Sequence, residues 1–249
     1  MKIILSPAKT LDFESPVPTN LISQPTFLEK ADEINSVLRN KSPKKLMELM
    51  SISDKLAQLN WERNQQWENT SLNRQAIFAF KGDVYLGLDA YSIDIEKMEY
   101  LKNTIRILSG QYGILKPLDV IKPYRLEMST DLKIGQKKNL YHYWQNSVTE
   151  KINEELDKEE VLINLASNEY FKVIQTNKIS STIITPIFKD FKNGKYKVIS
   201  FFAKKARGLM ARFAIDYQIN NPMGLKTFNS EGYAYDENLS TNLEWVFKR

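Results

Sequence analysis

The residues in this chain that carry the most chemistry follow short apolar runs. Ser6 and Lys9 follow Ile3-Ile4-Leu5. Lys81, Gly82 and Asp83 follow Ala76 to Phe80. Ser109 and Gly110 follow Ile105 to Leu108, Ser167 and Asn168 follow Val161 to Ala166, and Lys204 and Lys205 follow Lys197 to Phe202. Each run reads as a strand. In open α/β sheets, ligands gather beyond the carboxyl ends of strands, where loops and helix N-termini point. Mostly parallel strands would bring these ends into one basic cleft suited to an anionic or nucleotide-like small molecule. Solvation of ordinary loops would give the same polar ends without a cleft. Lys9, Lys81, Asp83, Arg125 and Glu231 supply the charges for acid/base work or a phosphate clamp, and Tyr112 adds a phenol. The candidate pocket residues are therefore Ser6, Lys9, Lys81, Asp83, Tyr112, Arg125, Ser167, Asn168 and Glu231.

Composition removes several chemistries. There is no cysteine, so disulfides, thiolate catalysis and Cys-ligated zinc or iron–sulfur clusters are excluded. The single histidine, His142, argues against a His-based metal site or a Ser-His-Asp triad, while carboxylate-only metal binding stays open. The chain has no P-loop, no Gly-x-Ser-x-Gly elbow and no His-Glu-x-x-His, so no residue is assigned a catalytic role and no cofactor is expected. At 249 residues, 42% hydrophobic, with a net charge of +5, it reads as a globular protein mildly suited to anionic partners. No apolar run approaches a membrane span, and Ile3-Ile4-Leu5 is too short for a signal peptide, which leads to an expected cytoplasmic location and no membrane partner.

The elements that position these residues alternate between strand and helix. The expected fold is α/β, admitting a mixed α+β arrangement: a central mixed sheet with flanking helices and an inserted helical hairpin. Arg106 to Met128 is the most structured connection. Gly110 and Gly113 break an apolar run, Pro117 and Pro123 deny helix, and the segment carries Tyr112, Lys116, Asp119, Lys122, Tyr124, Arg125 and Glu127. Ser42-Pro43 and Ser53-Asp54 are N-terminal helix signals, so about 42–67 reads as two helices joined by a short turn. Such a hairpin can hold DNA phosphates through turn amides, with Lys44, Lys45, Lys55 and Arg63 flanking it. A plain helical hairpin is the commoner meaning, and Ser51-Ile52-Ser53 lacks the usual glycine. Leu140 to Leu156 repeats apolar residues every four positions and turns His142 to the polar side. Lys192-Asn193-Gly194-Lys195 is a strong hairpin turn. In the helix from Lys204 to Tyr217, Lys204, Lys205 and Arg212 share a face with Gly208, and Arg207 flanks it. Glycine at mid-helix costs about 1 kcal/mol against alanine, and its return is close approach of a ligand or another backbone.

These same stretches resemble the bacterial YaaA family of peroxide stress resistance proteins, the UPF0246 group. The matching segments are Ile4-Leu-Ser-Pro-Ala-Lys-Thr-Leu-Asp12, Ala79-Phe-Lys-Gly-Asp-Val-Tyr85, Leu108-Ser-Gly-Gln-Tyr-Gly-Ile-Leu-Lys-Pro-Leu-Asp119, Pro123-Tyr-Arg-Leu-Glu-Met128, Asn164-Leu-Ala-Ser-Asn-Glu-Tyr-Phe171, Ala203-Lys-Lys-Ala-Arg-Gly-Leu-Met210 and Phe228-Asn-Ser-Glu-Gly-Tyr233. They run in order from end to end, so a single domain is expected over residues 1–249, with a helix-hairpin-helix-like subdomain at about 42–67. The resemblance implies a cytoplasmic protein that helps cells survive hydrogen peroxide, that limits iron-dependent oxidative damage, and that binds double-stranded DNA through a helix-hairpin-helix beside a basic cleft. Without cysteine or a haem or flavin signature, direct peroxidase chemistry is not expected.

Two functions follow. One is a DNA-binding stress protein that uses Lys44, Lys45, Lys55 and Arg63 at the hairpin, with Lys204, Lys205, Arg207 and Arg212 along the cleft. The other is an enzyme acting on a nucleotide or nucleobase-like molecule in the pocket at the strand ends.

Overall fold

The aliphatic runs become strands of one sheet. The computed structural model describes residues 1–157 and 159–249. The chain passes through β1 (Lys2–Leu5), β2 (Thr10–Leu11), α1 (Leu28–Arg39), α2 (Pro43–Met50), α3 (Asp54–Gln65), β3 (Arg74–Gln75), α4 (Ala76–Ala79), β4 (Phe80–Lys81), α5 (Asp83–Leu88), α6 (Met98–Thr104) and β5 (Ile105–Ser109). It continues through β6 (Gly113–Leu115), β7 (Val120–Ile121), α7 (Leu140–Glu155), β8 (Val161–Asn164), α8 (Asn168–Phe171), β9 (Thr182–Lys192), β10 (Lys195–Lys197), α9 (Ser200–Asp216), β11 (Ala234–Tyr235) and β12 (Glu244–Lys248).

The main sheet has eight strands in the order β11-β12-β9-β8-β1-β5-β6, with β10 paired to β9. The neighbours from β12 to β5 are parallel, and β6, β10 and β11 add antiparallel edges. This is the expected mixed sheet flanked by helices. Ile3, Ile4 and Leu5 of the central strand are fully buried, as a continuous aliphatic run in a parallel sheet should be. From β1 the chain leads to β5 on one side; from β8 it leads to β9 on the other. The strand order therefore reverses between β1 and β8, which is where a crevice opens in sheets of this kind.

Three local expectations are corrected. Ala76 to Phe80 is not a strand: Ala76–Ala79 form α4, flanked by the two-residue strands β3 and β4. All four residues of α4 are buried, and a short apolar run has no period that separates a buried strand from a buried helical turn. The strand expected over Lys197 to Phe202 stops at Lys197, because Ser200 already begins α9. Ala203, Ala206, Ala211 and Ala214 favour helix and extend it back over Phe201 and Phe202. The segment from Ser109 to Met128 is not all loop, since β6 doubles back antiparallel on β5 and β7 pairs with β3.

Helix α9 crosses α5 at van der Waals distance. A Cβ on Gly208 would lie 1.8 Å from the Val84 carbonyl oxygen, and one on Gly87 would lie 2.2 Å from the Lys205 carbonyl oxygen. The return for glycine in α9 is thus a second backbone.

Candidate functional site

At the β1–β8 crevice the strand-end residues meet. The Ser6 hydroxyl accepts from the Ser167 amide at 2.8 Å and lies 3.3 Å from the Ser167 hydroxyl. Tyr85, in the first turn of α5, donates its hydroxyl to the Ser6 carbonyl at 3.0 Å. On the β5 side, the Ser109 hydroxyl contacts the Tyr124 hydroxyl at 2.7 Å and accepts from the amides of Gln111 and Tyr112. Glu127 stands between two cations: its Oε1 lies 3.1 Å from Lys9 Nζ and 3.0 Å from Arg125 Nη2. Arg125 Nε and Glu127 Oε2 are both buried without a hydrogen-bond partner among the described residues. They border a void of about 10 Å³ with Pro7, Ala8, Tyr124 and Tyr170, room for a single water. Burial pushes the hydroxyls of Tyr85, Tyr124 and Tyr170 up. Tyr85 and Tyr170 are raised further by the Tyr124 phenol, so all three act as neutral hydrogen-bonding groups at physiological pH.

Of the pocket residues expected from sequence, Ser6, Lys9, Arg125 and Ser167 are brought together here. Asn168 follows Ser167 as the first residue of α8, and Asp83 opens α5 two residues before Tyr85. Tyr112 is not a wall residue: it is buried in the core, where its hydroxyl accepts from the Lys122 amide. Glu231 lies in another cluster, paired with Lys205 and Arg249. Glu127, Tyr85 and Tyr170 are the additions. Tyr85 and Tyr170 share a sequence signal, a tyrosine two residues into the helix that follows a strand-end turn (Asp83-Val84-Tyr85 and Asn168-Glu169-Tyr170).

Lys81 belongs to a neighbouring, roomier cleft. Pairing of β4 with β2 sets Lys81 opposite Thr10. The cleft, about 540 Å³, is walled by the Thr10 to Ser15 segment, by Leu59, Glu62 and Arg63 of α3, and by Gln66, Leu72, Lys122 and Pro123. The Asp12 carboxylate accepts from the Ser15 amide at 3.0 Å, the Ser15 hydroxyl at 2.7 Å and the Glu14 amide at 3.0 Å. These bonds lower its pKa from 3.8 to about 2. Among the described residues, the only hydrogen bond of the Arg63 side chain is a 3.4 Å contact to Asn60, and partial burial lowers its pKa.

The hairpin that carries Arg63 has the expected caps. Ser42 caps α2 and Ser53 caps α3, their hydroxyls accepting from the amides of Lys45 and Leu56. Ser51 takes the left-handed conformation (φ 51°, ψ 50°) that glycine usually supplies. Ile52 is buried beneath the turn, while Ser53, Asp54 and Lys55 are exposed at the start of α3, where the first amides of a helix have no intrahelical partner. Lys44 and Lys45 are exposed on the first turn of α2. Arg63 sits away from this tip, on the cleft wall.

The basic residues of α9 do not form one stripe. Lys204 is exposed, but Lys205 is paired with Glu231, whose pKa is lowered chiefly by that bond. Arg212 donates to the Asp89 carbonyl at 3.0 Å and to Asp216 at 2.8 Å, closing the end of α5. Arg207 is partly buried, which lowers its pKa. The β4 and α9 residues thus leave the predicted single cleft of five strand ends, and the ends of β1, β5 and β8 remain together. Among the described residues, no group of three or more His, Asp or Glu is placed to hold a metal ion, and no helix is long and apolar enough to cross a membrane.

Comparison with known proteins adds to this geometry. A family model described as peroxide stress protein YaaA matches residues 1–239. A UPF0246 protein of Flavobacterium psychrophilum is 56% identical over 252 residues, covering all of both chains. UPF0246 proteins of Aliivibrio fischeri (51%) and Neisseria meningitidis (49%) are similar over all of this chain and 98% of their own.

Proposed function

From the premise that this chain belongs to the peroxide stress protein YaaA (UPF0246) family, we propose that it acts in peroxide stress by binding double-stranded DNA through the α2–α3 hairpin. The observation that carries the reading is the hairpin tip. Left-handed Ser51 turns the chain so that the Ser53, Asp54 and Lys55 amides open α3 in solvent, at the positive end of a 12-residue helix dipole. Lys55 stands at these amides, Lys44 and Lys45 lie on the first turn of α2 at the other end of that helix, and none of the three is ion-paired among the described residues. Amides hold phosphate without reading bases, so sequence preference is small and salt dependence large. Lysines that neutralise phosphates release bound cations, ferrous iron among them. Hydroxyl radicals then form farther from the duplex, which gives DNA binding a route to limiting iron-dependent damage. Lys44→Glu/Lys45→Glu is expected to weaken duplex affinity at least tenfold in fluorescence anisotropy at about 50 mM salt and to flatten the salt dependence. Unchanged affinity would remove the hairpin from the account.

A second reading, an enzyme acting on a nucleotide or nucleobase-like molecule, is favoured by one observation: Ser6, Ser167, Lys9, Arg125 and Glu127 converge where the strand order reverses. The void at the convergence itself admits only a water, so the cleft of about 540 Å³ beside it would have to hold the substrate. It predicts a rise in melting temperature with a nucleotide or nucleobase. A broad ligand screen without a shift would retire it.

A further inference from the structure

The β9–β10 hairpin runs on past the rest of the sheet. β12 accompanies β9 from Thr185 to Lys189, and from Asp190 to Lys192 its partner is β10. Asn193 (φ 55°) and Gly194 (φ 77°) supply the left-handed pair that matches a two-residue turn to strand twist. The ribbon and the start of α9 leave large apolar side chains in solvent: Phe191 is 60% exposed, Phe201 55%, Val198 53%, Tyr196 41% and Phe202 39%. Single exposed apolar residues need no explanation, but these gather at one end of the sheet, the Phe191–Tyr196 pair on one face of the ribbon and Phe202 on the other, where Arg249 stacks on it. Phe191 and Tyr196 are cross-strand partners with ring centres 5.2 Å apart, and the Phe201 and Phe202 rings lie 5.7 Å apart.

The charges interleaved with these rings in sequence are, Asp190 apart, all positive, and the Lys248 and Arg249 that stack on Tyr196 and Phe202 are ion-paired to Asp236 and Glu231. Lys189, Lys192, Lys195, Lys197 and Lys204 are interleaved with the rings, and none is ion-paired among the described residues. The acid of this stretch, Asp190, is buried and committed to Arg249 and Tyr233. Lys192 and Lys195 face each other directly across the strands beside the turn. Like charges so placed weaken a hairpin, and an anion between them would remove the penalty. Alternation along the strands puts Phe191 and Tyr196 on one face of the ribbon and the lysine pair on the other, so a chain crossing the edge of β10 meets both.

A second copy docked isologously would bring the lysines against lysines. A duplex would satisfy the lysines and leave the rings without stacking partners. An unpaired strand uses both, its phosphates on the lysines and its bases on the rings. We propose that the β9–β10 hairpin and the start of α9 form a binding site for single-stranded nucleic acid, with Phe191, Tyr196 and Phe201 as stacking platforms and Lys192 and Lys195 sharing a phosphate. This surface is separate from the α2–α3 hairpin, and the inference stands whether or not that hairpin binds duplex.

The test is anisotropy of labelled oligothymidine, and of a duplex of equal length, with the full chain. The parent is expected to bind oligothymidine with affinity that falls as salt rises. Phe191→Ala/Tyr196→Ala/Phe201→Ala should lose at least about tenfold for oligothymidine, because stacking on one ring is worth between about 5- and 150-fold. Its duplex affinity and melting temperature should stay near those of the parent. Lys192→Glu/Lys195→Glu should lose oligothymidine binding as well, while Lys44→Glu/Lys45→Glu should keep it. The proposal is overturned if the parent does not bind oligothymidine at about 50 mM salt, or if both hairpin variants bind it unchanged. It is also overturned if the hairpin variants lose binding to phosphatidylserine vesicles and not to oligothymidine, which would assign the surface to a membrane.

Discussion

Gly208 shows how far a single residue decides this architecture. An added methyl group would overlap the Val84 carbonyl of the crossing helix at 1.8 Å, and neither backbone can yield without moving a helix. Gly208→Ala is expected to cost about 3 kcal/mol and to lower the melting temperature by several degrees. A melting temperature equal to the parent's would contradict the crossing. The need for a small residue at position 208 was legible from the sequence, but what approaches it was not, because α5 is distant in the chain and short. Asp12 offers a pH test. Its folded pKa of about 2 lies below the ordinary 3.8, so its stabilisation is complete above the ordinary value and is lost as pH falls towards 2. The difference in melting temperature between the parent and Asp12→Asn should therefore be largest above pH 4 and shrink on acidification. A difference independent of pH would show that the amide and hydroxyl bonds to Asp12 do not favour its charged form.

Among the elements, the α2–α3 hairpin was the most legible, since Ser42, Pro43 and Ser53 are helix signals and all occupy the positions they favour. The missing glycine at its turn is resolved by Ser51, which accepts a left-handed backbone at a cost. Ser51→Gly should relieve this and raise stability by about 0.5 kcal/mol, whereas Ser51→Val should lower it, both measured by urea unfolding. The reverse order of stability would contradict the left-handed turn. Asp54, exposed in the first turn of α3, sets a negative charge beside the amides proposed to take phosphate. Asp54→Asn is expected to tighten duplex binding several-fold in anisotropy, and a weaker complex would argue that phosphate does not approach the helix start. Where the reading failed, periodicity was the reason. Ala76–Ala79 and Val198 to Phe202 are apolar runs too short to carry a period, and tertiary packing decided them.

In the whole molecule, the sequence revealed the parallel sheet but not its order. Ser6, Ser109 and Ser167 read as strand ends, and the order β8-β1-β5 makes them neighbours. Lys81 and Lys204 read the same way and are elsewhere, since β4 joins β2 and Lys204 lies inside α9. Glu127 reads from sequence as one of several polar residues of its connection and not as a pocket residue, because its importance lies in Lys9, which contacts it from the far end of the chain's first loop. The two proposed functions thus fall on separate surfaces: duplex binding on the α2–α3 tip, and the second reading on the crevice between β1 and β8. In the proposed complex, amides at the start of α3 take up the duplex phosphates. Hydrogen–deuterium exchange of the full chain, with and without a saturating duplex, tests it most directly. Slowed exchange is expected in a peptide spanning Ser51 to Leu56, with little change in the exchange of α7. A bound duplex that leaves Ser51 to Leu56 exchanging at the free rate would contradict it.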